Sequence, residues 1–291
     1  MSGRRLGAAA LLLLSAVSAL FSWDISSSYS VDWVERTVSI DIAARREAGD
    51  PVLPAARLAA MSAVERALPL ICLETASQIA ADSRRSLGDI METDTSVLSS
   101  LGELYRKAEE GAGSFTGDLS GLRVRYTFRL YPDLVEDLVR HERPYIPERR
   151  LDWEPTGPFT GIIIYARGDL PEHGKESTAR LRPCLLPRIY DENMELISAP
   201  YMTDPDILRT LGPVAYAYSL ADRRIRNRVG YYPMRIAAGS VFGTRPTDPV
   251  IPLEWADKIR SSRDIQRLIA EGKIVFVIDP PQPAPPASAG P

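Results

Sequence analysis

The chain has 291 residues, 45% of them hydrophobic and 25% charged, which is length enough for two modest domains and apolar material enough for real cores. Its 35 basic and 38 acidic residues are interspersed and leave a net charge of −3, which excludes the one-sided basic surface that duplex nucleic acid requires. Two cysteines, Cys72 and Cys184, and two histidines, His141 and His173, lie too far apart along the chain for metal-ligand spacing.

The sequence opens Met1-Ser-Gly-Arg4-Arg5, followed by an uncharged, leucine- and alanine-rich run from Leu6 to Phe21. A positive start before an apolar run too short to span a bilayer comfortably is the pattern of a secretory signal, so 1–22 reads as a signal peptide. The compact residues Val17-Ser18-Ala19 place the expected cleavage after Ala19, with an uncleaved anchor as the alternative. Without Arg4 and Arg5 the exported part carries 33 basic against 38 acidic residues, a net −5. Export permits a disulfide between Cys72 and Cys184. Cys72, however, shares a helical face with Leu58, Met61, Leu68 and Ile71, the setting of a small buried thiol.

Residues 30–42 alternate around Val31, Trp33, Val38, Ile40 and Ile42 and predict one strand. After Asp50-Pro51 and Pro54 comes a helical stretch, 55–91, with a kink or break expected before Pro69. A second helix is expected over 96–109, stopped by Gly111-Ala-Gly113. Residues 121–131 form the clearest strand, with Leu122, Val124, Tyr126, Phe128 and Leu130 on one face and Arg123, Arg125 and Arg129 on the other. A short helix over 133–140 completes the first unit. Pro144, Pro147, Pro155 and Pro158, set among charges, rule out a helix or central strand and mark a linker. Beyond it, 159–166 reads as a strand covered on both faces, and 184–197 as a hairpin turning at Asp191–Glu195. Further strands are expected over 214–218, 234–241 and 273–279, and helices over 253–260 and 263–271. The fold class that follows is α+β, in two small mixed α/β domains. Residues 23–141 hold a long helix packed on an antiparallel sheet, 142–158 form the linker, and 159–279 hold a strand-rich sheet with short helices. The last stretch, 280–291, is expected to be a disordered proline-rich tail.

Several segments in order, FTGIIIYARGDL, LPRIYDENMELI, VGYYPMRIAAGSVFG and PLEWADKIRSSRDIQRLIAEGKIVFVID, resemble a bacterial envelope family. The family comprises small outer-membrane lipoproteins and the flagellar assembly proteins P and T. The likeness is sharpest at Gly161, at Ala166-Arg167-Gly168 and at Pro187–Glu192. It implies a non-enzymatic protein of the periplasm or the inner face of the outer membrane, with partners among envelope or flagellar proteins, and in some members assembly into a ring. This chain departs from the family in lacking the lipid-bearing cysteine and in a longer loop over 169–182.

A serine-hydrolase elbow, Gly-x-Ser-x-Gly, does not occur, and Gly111-Ala-Gly113 before Gly117 follows a helix where a phosphate loop follows a strand. No cofactor or metal and no catalytic residues are therefore expected. Arg167-Gly168-Asp169 spells an adhesion tripeptide, but Gly168 as a turn residue with Asp169 solvated explains it more simply. The arginine row at 123, 125 and 129 reads as a solvated sheet face. Arg188 and Asp191 flank the hairpin turn and suit a structural ion pair or a turn role. The function expected is that of an exported structural or binding protein, with a cell-wall glycan such as peptidoglycan as the alternative partner.

Overall fold

The structure is a computed structural model that describes residues 23–46, 56–116, 121–150 and 157–281. The signal segment with its Ala19 cleavage site, and the tail from 282, lie outside the described residues. Two compact units interleave along the chain. The first takes its described residues from within 23–32, 37–76 and 98–129, the second from 33–36, 77–97 and 130–281.

The first unit is a sheet under a long helix. Strands β1 (Trp23–Asp32) and β2 (Thr37–Arg46) form an antiparallel hairpin, so the single strand expected over 30–42 is in fact two, parted at Trp33–Arg36. Arg36 takes a left-handed conformation at φ 61°, which lets the chain reverse where alternation alone suggested continuity. Helix α1 (Ala56–Gln78) follows. It runs through Pro69 without a break, the stronger of the two outcomes expected there. The carbonyl that loses its partner there belongs to exposed Glu65, where water can satisfy it. The helix then stops at Gln78, and α2 (Leu87–Met91), which belongs to the second unit, is a separate element capped by Ser86. Helix α3 (Thr95–Gly102) ends sooner than expected, and Glu109–Glu110 form strand β3 rather than helix. With β4 (Ser114–Phe115) and β5 (Gly121–Arg129), the sheet order is β1-β2-β5-β3, and β4 also pairs with β5.

Strand β5 behaves as its alternation dictates: Leu122, Val124, Tyr126 and Phe128 are buried, and Arg123, Arg125 and Arg129 are exposed. Val38, Ile40, Ile42 and Ala44 of β2 complete the buried face. Ala60, Ala63, Val64, Leu68, Ile71 and Cys72 form the buried stripe of α1, while Leu58 is exposed despite sharing their period. Burial pushes the Tyr126 phenol up to about 12, with Glu110 and Glu65 adding to the shift. Cys72 and Cys184 are both free and buried, so no disulfide joins them.

The second unit is built on two four-stranded sheets. β6 (Ile162–Tyr165) lies at the centre of its sheet and is buried at Ile162, Ile163 and Ile164. Short strands β7 (Leu170–Pro171) and β8 (Thr178–Ala179) pair with each other. The hairpin β9 (Ile189–Asp191) and β10 (Leu196–Ser198) is antiparallel. Two helices that hydrophobic period did not signal, α4 (Pro205–Leu211) and α5 (Arg223–Val229), flank β11 (Ala215–Ala217). The strand expected over 234–241 divides at Ala238-Gly239 into β12 (Met234–Ala237) and β13 (Ser240–Phe242), which join different sheets. After β14 (Asp248–Ile251) come α6 (Leu253–Ser261), α7 (Arg263–Ala270) and β15 (Ile274–Val277). The parallel sheet runs β11-β15-β6-β12, and the mixed sheet β10-β9-β14-β13. Gly161 leads into β6 where only a glycine fits, since an added Cβ would lie 2.4 Å from the Val229 Cβ.

Residues 130–141, which sequence reading assigns to the first domain, cluster with the second unit. The Tyr131 hydroxyl donates to the Leu185 carbonyl at 2.6 Å, and Arg209 donates to the Val139 carbonyl at 3.4 Å. The described part of the proline-rich segment, 142–150, forms neither helix nor strand and is fastened to the same unit. There Tyr145 N donates to Tyr201 O at 2.9 Å and Arg150 N to Arg260 O at 3.2 Å.

Candidate functional site

The hairpin turn gathers a polar cluster in the second unit. Asp191 closes β9 and is fully buried; its Oδ1 accepts from the backbone N–H groups of Asn193 (2.9 Å) and Glu195 (2.8 Å). Its Oδ2 receives Arg260 Nη2 at 2.5 Å. Arg260 also reaches Glu195 at 3.1 Å and Asp257 at 3.5 Å, and Arg150 meets Glu195 at 2.6 Å. A buried carboxylate is tolerable only with such a partner and satisfied lone pairs. Beside this network lies a cleft of about 250 Å³ lined by Tyr145, Arg150, Glu195, Met202, Arg260 and Gln266. Gln266 Nε2 donates to the Arg260 carbonyl at 3.1 Å, which ties the helix carrying the arginine to the helix that follows.

Arg188 and Asp191 do not pair with each other. Arg188 N donates to Asp248 Oδ1 at 3.0 Å, and its guanidinium reaches the Tyr190 hydroxyl at 3.5 Å. Burial pushes the Asp248 carboxyl up, against the opposing pull of the Arg188 N–H and the Ser83 and Thr247 hydroxyls. Arg167, Gly168 and Asp169 follow β6 at the carboxyl end of the parallel sheet. Gly168 sits at φ +84°, and its N–H donates to Asp279 Oδ2 at 2.7 Å. Arg167 pairs with Asp279 at 3.3 Å and Asp169 with Arg180 at 3.0 Å. The tripeptide thus turns the chain and ties it to the end of β15. In the first unit Arg125 pairs with Asp41 at 2.8 Å and Arg129 with Glu109 at 3.7 Å, which neutralises two members of the arginine row.

The thiols offer no nucleophile. Desolvation pushes Cys72 up to about 12 and Cys184 also upward, so both stay protonated at neutral pH. Among the described residues no group of three or more His, Cys, Asp or Glu side chains is placed to hold a metal ion. No helix among them is long and apolar enough to cross a membrane.

Residues 24–137 match the family model described as Treponema pallidum Tp0624, N-terminal domain, and residues 161–280 the one described as Treponema pallidum Tp0624, second domain. Both stretches are similar to domains of one spirochete protein. No curated protein matches the chain. In Tp0624 terms the arginine row lies in the N-terminal domain, whereas the Arg167 turn, the Asp191 hairpin and Arg260 lie in the second. Arg260 is the residue that sequence reading missed. Its signal was one arginine following Ala256 and Ile259 on the buried side of an otherwise amphipathic helix.

Proposed function

We propose that this chain is a non-catalytic docking component of the bacterial envelope, exported by its apolar leader and acting through its surfaces. One observation carries the reading: the polar residues singled out at the two turns, Arg167, Asp169, Arg188 and Asp191, are engaged by partners within the chain. Asp191 holds a turn and a helix, Asp279 holds the Arg167-Gly168 turn, and Asp169 is paired. A catalytic centre keeps ionisable groups facing a cavity and available to substrate. The leader-like run Leu6–Phe21 supports export, and the ordered match of two Tp0624 domains supports treating them as one working pair. A place beside the flagellar motor, with self-association, is the finer form suggested by the resemblance to assembly proteins P and T.

Chemical cross-linking in intact cells tests the reading. Covalent adducts with envelope proteins are expected; a chain that stays monomeric and free of adducts contradicts it. Pelleting with purified cell wall, without protein adducts, would favour the glycan alternative. Normal motors and motility in a deletion strain would remove the flagellar form.

A further inference from the structure

Parallel sheets are ordinarily covered on both faces. One face of the β11-β15-β6-β12 sheet packs into the main core of the second unit through Ile162, Ile164, Met234, Ile236, Ile274 and Phe276. The opposite face is covered by α5 through Ile225 and Val229, and only in part. Register shows where the cover ends. Across one row stand Val275, Ile163 and Arg235, and across the next Val277, Tyr165 and Ala237. Val275, Val277 and Ile163 are buried, whereas Tyr165, Arg235 and Ala237 are exposed. The cover thus stops between β6 and β12 in the first row and between β15 and β6 in the next.

Over this open margin lies a groove of about 700 Å³, bordered by Leu220, Arg223, Arg226, Tyr231 and Arg235. Leu220 is 50% exposed, and Tyr231 and Tyr232 are each 73% exposed. The Arg226 guanidinium lies 4.8 Å from the Tyr231 ring centroid, which holds both side chains at the rim. Asp222, the acidic residue of the lining, is already taken by Arg224 at 2.8 Å. Among the described residues no carboxylate pairs with Arg223, Arg226 or Arg235. A charge on an edge strand can serve merely to prevent strand-to-strand aggregation, and Arg235 alone would be read that way. Three arginines set beside Tyr231 and Leu220 go beyond that need and have the composition of a protein interface, in which arginine and tyrosine anchors dominate.

We infer that this groove docks an acidic segment of a partner protein, its carboxylates on Arg223, Arg226 and Arg235 and its apolar side chains against Tyr231 and Leu220. This deepens the docking reading proposed above and rests on it. A peptide is favoured over a lipid surface because the margin lacks the broad apolar stripe of tryptophan, phenylalanine and leucine that enters a bilayer. Planar guanidinium forks also match carboxylates two bonds at a time.

The test is fluorescence anisotropy with the purified full-length chain and a labelled synthetic peptide of alternating Glu and Leu, with a Lys-for-Glu peptide and phosphatidylglycerol vesicles as controls. The acidic peptide should bind, the basic one should not, and affinity should fall as salt rises. The double variant Arg226→Glu/Arg235→Glu should lose about tenfold in affinity, as expected for reversing two exposed charges. Tyr231→Ala, with the fold checked by circular dichroism, should weaken binding without altering its salt dependence. Affinity unchanged by these substitutions would overturn the assignment. So would vesicle binding that depends on the same residues while the peptide fails to bind. If the peptide fails while cross-links to envelope proteins persist in cells, the groove assignment falls and the docking reading survives.

Discussion

Arg260 has a buried carboxylate as its partner, and removing one member of such a pair strands the other. Arg260→Ala should therefore cost about 3–5 kcal/mol in urea denaturation, far more than deleting an exposed ion pair. A loss under about 1 kcal/mol would show that the Asp191 turn stands without it. Asp248 makes the opposite electrostatic contribution. Its folded-state pKa is raised above the ordinary 3.8, chiefly by burial, so the folded chain binds the proton more tightly than the unfolded one. The associated stability is fully present below the unfolded value and is lost as pH rises through the folded one. Asp248→Asn should thus gain on the parent most at neutral pH, and the difference should narrow as the pH is lowered toward 4. Urea midpoints of both proteins between pH 7 and 4 check the sign, and a difference that widens on acidification refutes it.

At the scale of elements, what was legible in the sequence followed from how strong the local signals are. β5 could be read directly because every second residue is apolar and the intervening ones are arginines. The β9-β10 hairpin and the α6-α7 pair were legible for similar reasons. β1 was hidden because an outer strand reading Ser26-Ser27-Ser28 buries little and so shows no alternation. Helices α4 and α5 have seven residues each, too few for a hydrophobic period. Their signal lay instead in the caps, Asp204 and Asp222, whose carboxylates accept from the first-turn N–H groups. The break after α1 likewise lay in capping chemistry rather than at Pro69. Ser86 Oγ accepts from Asp89 N at 3.2 Å, and Asp89 accepts from Ser86 N at 2.7 Å. Ser86→Ala should cost about 1 kcal/mol, seen as faster amide exchange over α2. The candidate residues were legible as turn formers, but their partners were not. Arg260 and Asp279 lie far along the chain, and no local pattern links them to Asp191 and Gly168.

For the whole molecule, the interleaving of the units decides how the chain can be divided. The second unit includes Leu87, Ile90, Leu130, Tyr131 and Leu134, all buried and all N-terminal to the proline-rich segment. A fragment of residues 159–291 would lack them and should lose the near-ultraviolet circular dichroism of a packed core, which the full chain keeps; a natively packed fragment would contradict this. Function at this scale rests on where the protein resides and what its surfaces meet. The most direct measurement is fractionation of cells followed by N-terminal sequencing of the recovered chain. Recovery in the envelope fraction with a terminus just after Ala19 is the expected result. Full-length, unprocessed chain dissolved in the cytosol would contradict it.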